Sequence, residues 1–310
     1  MRMLFLGSPS FAVTPLEALA GAGYEIVAVI TQPDRPAGRR RQLSPPPVKL
    51  AAERLGLPVL QPETLRDPAS VAALAALQPD IAVVAAYGEI LRRRILEIPP
   101  LGYVNIHPSL LPRHRGPTPV AGAILAGDSE TGVSIMRLDR GMDSGPLLAQ
   151  VTVPLTTAAR TGSLTAELFH LGSDLLLEVL PPYIAGQLQP QEQNHSQATV
   201  TRLLNRADSH IDWNLPAIVI ERRIRAFDPW PGTTGTWRSQ PLKILAARVQ
   251  NDWPGAEPPG SLLIADGHPL VRTGSGVLEL LTVQPAGKRP MSAVDWLQGQ
   301  RAATGEQFGT

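Results

Sequence analysis

Two stretches, Arg2-Met-Leu-Phe-Leu-Gly7 and Glu25-Ile-Val-Ala-Val-Ile-Thr31, decide the fold class. Both are near-continuous apolar runs, the pattern of strands covered on both faces in a parallel sheet. Thr14 to Ala22, between them, reads as a helix. Strand, helix and strand within about 30 residues make a βαβ unit. Asp80–Ala85 (DIAVVA) and Tyr103–Ile106 repeat the buried-strand pattern. An α/β class with a Rossmann-like, mostly parallel sheet is therefore expected. The dinucleotide fingerprint G-x-G-x-x-G is missing, and only Gly7 stands at the first turn, so NAD is not expected. Open α/β sheets bind ligands outside the carboxyl ends of their strands. Tyr87-Gly88 and Asn105-Ile-His107 are thus expected to line one crevice.

The stretch Val104-Asn-Ile-His107-Pro-Ser-Leu-Leu-Pro112-Arg-His-Arg-Gly116 carries the candidate chemistry. Strand residues i and i+2 face the same side, so Asn105 and His107 point together. Asp139-Arg-Gly-Met-Asp143-Ser-Gly145 supplies a candidate partner carboxylate in a Gly-flanked loop. Taken alone, Asn105 and His107 could be a structural pair bonded to neighbouring backbone. With Asp143, the histidine can be held in one tautomer or kept cationic. Asn and His donors can then stabilise a developing oxyanion, a contribution of roughly 10²–10³ in rate per donor. There is no G-x-S-x-G elbow and no cysteine, which favours direct transfer to an external nucleophile. The six histidines show no H-x-x-x-H spacing, so no metal site is expected.

At 310 residues the chain is expected to form two domains. Residues 1–186 read as the catalytic domain, 187–205 as a polar linker and 206–310 as a second domain. In the first, Thr131–Leu138 and Gly145–Leu155 read as an antiparallel pair, and Ser163–Ala185 as a long helix capped by Ser163. Gln187–Gln197 (QLQPQEQNHSQ) has linker composition. After a helix over Pro216–Phe227, five short strands with turn residues between them suggest a small barrel. Ser292 reads as the cap of a last helix.

The net charge of +1 provides no global attraction for nucleic acid, so any RNA-binding surface must be local. Around Gln32–Pro47, Arg35, Arg39, Arg40, Arg41 and Lys49 stand against Asp34, with five prolines and one glycine opposing any regular element. Such a loop is either a solvated charge run or a phosphate-touching one. The N-terminus is too short for a signal h-region, and no apolar run approaches the roughly 20 residues of a membrane span. A soluble cytoplasmic protein is expected.

Asn105-Ile-His107-Pro-Ser-Leu-Leu-Pro112-Arg-His-Arg-Gly116, followed by Thr131-Gly-Val and Gly141-Met-Asp143-Ser-Gly-Pro, resembles the signature of the folate-dependent formyltransferase family. Thr31-Gln-Pro-Asp-Arg-Pro-Ala-Gly38-Arg, Ile211-Asp-Trp213, Ile224-Arg-Ala-Phe-Asp-Pro-Trp-Pro231 and Val283-Gln-Pro-Ala-Gly-Lys-Arg-Pro-Met-Ser292 resemble the branch acting on methionyl-tRNA. The resemblance runs through both domains. It implies transfer of the formyl group of 10-formyltetrahydrofolate to the α-amino group of methionyl initiator tRNA. It makes Asn105, His107 and Asp143 the catalytic trio: Asn105 and protonated His107 stabilise the oxyanion, and Asp143 orients His107 and relays the proton. It implies folate contacts at Ser109, Leu110, Leu111 and Pro112, with Tyr87 and Gly88 near the pterin, and neither metal nor NAD. Arg35, Arg39, Arg40, Arg41 and Lys49 correspond to a loop that enters the acceptor stem, and Arg202 stands near a usual lysine. The second domain would be an OB-like barrel gripping tRNA, and the enzyme a monomer. The family loop usually reads Gly-Arg-Gly; here it is Gly38-Arg39-Arg40. Formylation of an amino sugar nucleotide, or a non-catalytic RNA-binding role, are the alternatives at this point.

Overall fold

A computed structural model describes residues 1–37, 42–250 and 253–309. They divide into two compact units. The first joins Met1–Pro119, Glu130–Pro154 and Thr165–Thr201; the second joins Val120–Ser129, Leu155–Leu164 and the chain from Arg202 onward.

The chain opens with β1 (Arg2–Gly7), α1 (Val13–Gly21), β2 (Glu25–Ile30), β3 (Arg35–Ala37), β4 (Gln42–Ser44), α2 (Pro47–Arg54), β5 (Val59–Leu60), α3 (Pro68–Ala76), β6 (Ile81–Ala85), α4 (Arg93–Leu96) and β7 (Tyr103–His107). It continues with α5 (Pro119–Ala126), β8 (Glu130–Arg137), β9 (Leu147–Pro154) and α6 (Thr161–Ile184). The main sheet runs β5-β2-β1-β6-β7-β8-β9. β5 through β7 are parallel, and β8 and β9 run antiparallel. Met3 to Leu6 of central β1 are fully buried, because a strand paired on both edges and covered on both faces offers only core positions. The chain leaves β1 toward β2 and β5, then returns to β6 on its other side. This reversal is the switch point where open α/β sheets place their ligands. Ser8 ties it together: its Oγ donates to the Tyr87 carbonyl (3.3 Å) and accepts from the Gln32 N–H (3.1 Å) and the Thr31 hydroxyl (3.3 Å).

Two local expectations need correction. The Pro-rich basic segment contains regular structure, since β3 and β4 pair as an antiparallel ribbon. Prolines oppose a ladder only where an N–H is needed, and Pro36 faces Leu43 at an edge position. The long helix also begins earlier than Ser163. Its first turn is fixed by tertiary bonds, Thr161 Oγ1 to the Ala226 carbonyl (2.7 Å) and Gly162 N–H to the Asp228 carbonyl (3.0 Å). The Ser163 hydroxyl instead donates back to the Arg160 carbonyl (3.2 Å).

The second unit contains α7 (Ala217–Ala226), β10 (Thr234–Trp237), β11 (Gln240–Gln250), β12 (Leu262–Ala265), β13 (His268–Arg272), β14 (Val277–Pro285), β15 (Met291–Ser292), α8 (Ala293–Gln300) and β16 (Phe308–Gly309). Its antiparallel sheet runs β12-β13-β14-β11-β10-β16. The sheet curls until its two ends meet, through a bridge between Ser261 and Gln307 and the Phe308 N–H to Gly260 carbonyl bond (2.8 Å). This is the small OB-like barrel expected. It encloses Trp213, Trp237, Trp296 and Phe308 in a tilted ring cluster. Ala217, Ile220 and Ile224, at helical spacing, place one face of α7 in that core. Ser292 caps α8 as its position predicts, accepting from the Asp295 N–H (3.0 Å).

Candidate active site

β7 is paired on both edges, to β6 and to β8, so its backbone is satisfied and its side chains alternate strictly between faces. Ile106 points to the face covered by α6; there a Cβ on Gly172 would lie 2.6 Å from Ile106 Cγ2. Asn105 and His107 share the opposite face. Asn105 is buried and makes no side-chain hydrogen bond among the described residues. Its amide is free to donate to a bound molecule.

His107 is 4% exposed. Its Nε2 lies 3.0 Å from the His114 carbonyl. A carbonyl can only accept, so Nε2 carries the hydrogen and the neutral ring keeps its lone pair on Nδ1. That atom faces Asp143 Oδ2 at 3.7 Å, beyond hydrogen-bond range. Burial holds the imidazole below the ordinary histidine value; the Asp143 charge and the His114 carbonyl oppose this, and the Arg115 charge adds to it. The resting ring is therefore a neutral base beside a carboxylate. A proton arriving at Nδ1 would turn the 3.7 Å approach into a charge-assisted bond.

Asp143 has a left-handed backbone (φ 49°), as does His114 (φ 56°). Non-glycine residues in this region cluster at functional sites, and Asp tolerates it better than most. Its Oδ2 accepts from the Gly116 N–H at 2.7 Å. Gly116 has φ 100°, and a Cβ there would meet the Thr201 carbonyl at 2.8 Å, so only glycine fits. The chain from Gln191 to Thr201 lies along this loop, within the first compact unit. Thr199 Oγ1 accepts from the His114 N–H (2.8 Å), and Arg115 exchanges backbone bonds with Thr199 and Thr201. Sequence reasoning treated 187–205 as linker and assigned Arg115 no role. The available signal was its amides and hydroxyls (Gln191, Gln193, Asn194, Thr199, Thr201), a composition that satisfies backbone groups.

The turn after β7 is built around Ser134 of β8. Its hydroxyl donates to the Ser109 carbonyl (2.6 Å) and accepts from the Leu111 N–H (3.0 Å) and Gln150 Nε2 (2.8 Å). Ser109 is fully buried, its own hydroxyl donating to the Arg113 carbonyl (2.8 Å). Leu110 packs toward Gly132, Leu111 is buried, and Pro112 is half-buried. Ser134→Ala leaves the Leu111 N–H and Ser109 carbonyl without this partner. It is expected to cost about 1–3 kcal/mol, measured as a lower urea midpoint at unchanged m. Tyr87 is a core residue whose phenol is pushed up by burial, so at this position the backbone is what can reach the crevice. Gly88 is exposed, with φ 93°.

Of the basic candidates, Lys49 donates to both oxygens of Asp34 (3.0 and 2.9 Å), which also accepts from Gln61 (2.7 Å). Arg35 pairs with Glu63 (3.0 Å), and Arg202 pairs with Asp208. Arg39, Arg40 and Arg41 lie outside the described residues. Among the described residues, no group of three or more His, Asp or Glu side chains could hold a metal ion. No described helix is long and apolar enough to cross a membrane. The groove lined by Val71, Asp80, Glu97 and Pro100 opens at the amino end of β6, the opposite end of the sheet from this site.

Comparison with known proteins matches residues 1–180 to the formyl transferase family and residues 203–301 to the formyl transferase C-terminal domain. The chain belongs to the formyl transferase family. A methionyl-tRNA formyltransferase of Chloroflexus aurantiacus is 64% identical over 304 residues, covering 97% of this chain and 98% of that one. One from Roseiflexus sp. is 63% identical over 310 residues, covering 100% and 95%. Among solved structures, an N-formyltransferase from Helicobacter canadensis in complex with folinic acid and dTDP-3-aminofucose superposes with TM-score 0.68 at 18% identity. It covers 92% of this chain and 99% of its own, which is a likeness of fold. In this formyl transferase, the candidate trio stands on the strand and loop beside the switch point.

Proposed function

We propose that the chain transfers the formyl group of 10-formyltetrahydrofolate to the α-amino group of methionyl initiator tRNA, giving N-formylmethionyl-tRNA. One observation carries the chemistry: the His114 carbonyl fixes the His107 tautomer, so that Nδ1 is a base beside Asp143 on the face that Asn105 shares. The choice of acceptor rests on the near full-length relatives named methionyl-tRNA formyltransferase.

The bound donor supplies an electrophilic formyl carbon; this chain supplies Asn105 as oxyanion donor, the enclosure and, where the resemblance implied a protonated His107 at the oxyanion, a buried and neutral His107 as base. His107 takes the proton released by the attacking amine at Nδ1. The resulting imidazolium is stabilised by the Asp143 carboxylate. Asn105 donates its amide N–H to the formyl oxygen as that oxygen becomes negative, a bond that strengthens toward the transition state. The new N–C bond gives a tetrahedral oxyanion, whose collapse breaks the bond from the formyl carbon to the folate nitrogen as that nitrogen is protonated. His107 then returns its proton to the departing nitrogen, so charge and protons balance. The Ser109–Pro112 turn and backbone 86–88 provide a wall for the folate. The rigid Ser109–Ser134 bonding supports this reading.

Residues 1–186 would carry catalysis and 206–310 would grip tRNA, a division supported by the extents of the two family matches. We place the enzyme in the cytoplasm with its tRNA.

Incubation with 10-formyltetrahydrofolate and methionyl initiator tRNA should yield N-formylmethionine on deacylation. Formylation of an amino sugar nucleotide without tRNA would favour that acceptor instead. Arg39→Ala with Arg40→Ala is expected to raise the KM for tRNA about tenfold or more, by loss of phosphate contacts, with folate affinity unchanged. An equal loss of folate affinity would make the loop structural.

A further inference from the structure

Gln193 lies in the polar segment after α6 and is 5% exposed. Its amide makes four hydrogen bonds. Oε1 accepts from Arg115 Nε (3.2 Å) and Nη2 (2.7 Å). Nε2 donates to the carbonyls of Asp143 (2.9 Å) and Gly145 (2.7 Å). Guanidinium can only donate and carbonyls can only accept, so the amide has one possible orientation. The Arg115 side grips the loop carrying His107 and Gly116; the carbonyl side grips the loop carrying the Asp143 carboxylate.

We infer that Gln193 is a positioning residue that sets the separation of His107 and Asp143. This rests on the reading that these two residues carry the proton. Asp143 needs its left-handed backbone to aim Oδ2 at the Gly116 N–H, and the bond from Gln193 to its carbonyl helps hold that conformation. Arg115 is buried, and its side chain bonds only to neutral groups among the described residues, Gln193 and His195 Nδ1 (2.9 Å). Gln193 therefore also fixes a positive charge near His107. The charged and titratable groups around this pair are Asp143, His114, Arg115 and His195. The Gln193 carboxamide meets both loops at once, two donors reaching its oxygen and its nitrogen reaching two carbonyls.

The test compares Gln193→Ala, Gln193→Glu and His107→Ala, with rates expressed per folded enzyme. In Gln193→Ala, kcat is expected to fall about tenfold to a hundredfold, as for a displaced catalytic group. KM for both substrates should stay within about threefold. Gln193→Glu keeps the acceptor toward Arg115 but opposes two carbonyls with an oxygen. It should lower kcat similarly, and its charge should offset Arg115 and move the acidic limb of the pH–rate profile upward. In Gln193→Ala, where no charge is introduced, a wider His107–Asp143 separation should move that limb downward, whereas a merely structural residue would lower Tm without moving it. Gln193→Ala with kcat within about threefold of the parent overturns the inference. So does an unmoved acidic limb in Gln193→Glu, which decides the matter should the alanine variant not fold. If His107→Ala itself turns over normally, the underlying proton assignment fails; if it is inactive while Gln193→Ala is normal, only the positioning role fails.

Discussion

Replacing His107 with alanine is expected to lower kcat for formylation by about 10²–10⁴-fold, the usual worth of a positioned general base. The Nε2–H bond to the His114 carbonyl assigns the lone pair to Nδ1, which faces Asp143 Oδ2 at 3.7 Å. Burial keeps that base unprotonated at rest. The variant also leaves the His114 carbonyl without its partner, so a stability loss of about 1–3 kcal/mol should accompany the kinetic one. Circular dichroism and a urea titration separate the two effects. A near-parent kcat in folded protein would remove His107 from the proton path. The pH dependence of stability has a definite sign. His107 is neutral in the folded protein below the pH where it protonates in the unfolded chain, because its folded pKa is depressed. Its contribution is intact above about pH 6.5 and is lost as pH falls toward the folded value. His107→Ala should therefore be less acid-sensitive than the parent.

What the sequence made legible followed from short-range periodicity. The buried strands announced themselves as apolar runs, and a two-residue spacing was enough to put Asn105 and His107 on one face. Asp143 could be proposed as their partner but not placed, because its aim depends on the Gly116 N–H and a left-handed backbone. Neither leaves a compositional trace at position 143. The same limit explains the other gaps. A charge count set Asp34 against Lys49 but could not show that the two are bonded, with Gln61 donating to the same carboxylate. Ser163 read as a helix cap because the true first turn is held by Ala226 and Asp228, more than 60 residues away. The segment 187–205 lacked hydrophobic period and so read as linker, although Gln193 and Thr199 within it bond to the loops of the candidate site. Hydrogen-bonded support of that kind has no period to detect.

Asp143→Asn is the complementary experiment, with an expected loss of about 10²–10⁴-fold in kcat. Asparagine tolerates the left-handed conformation that Asp143 adopts, and its carbonyl oxygen can still accept from Gly116, so the loop should keep its shape. What disappears is the negative charge facing His107 Nδ1. Without it the imidazolium formed on proton transfer has no counter-charge, and the transition state that creates it rises in energy. The Asp143 charge raises the His107 pKa, opposing burial. Removing it should shift the acidic limb of the residual activity to lower pH, opposite to the shift expected for Gln193→Glu. A limb that stays in place, with kcat near the parent value, would mean that Asp143 neither shares nor stabilises the proton. A lowered kcat together with a limb moved downward is the outcome expected of a carboxylate that acts through His107, because the same charge that raises the histidine also stabilises the imidazolium formed in the transition state.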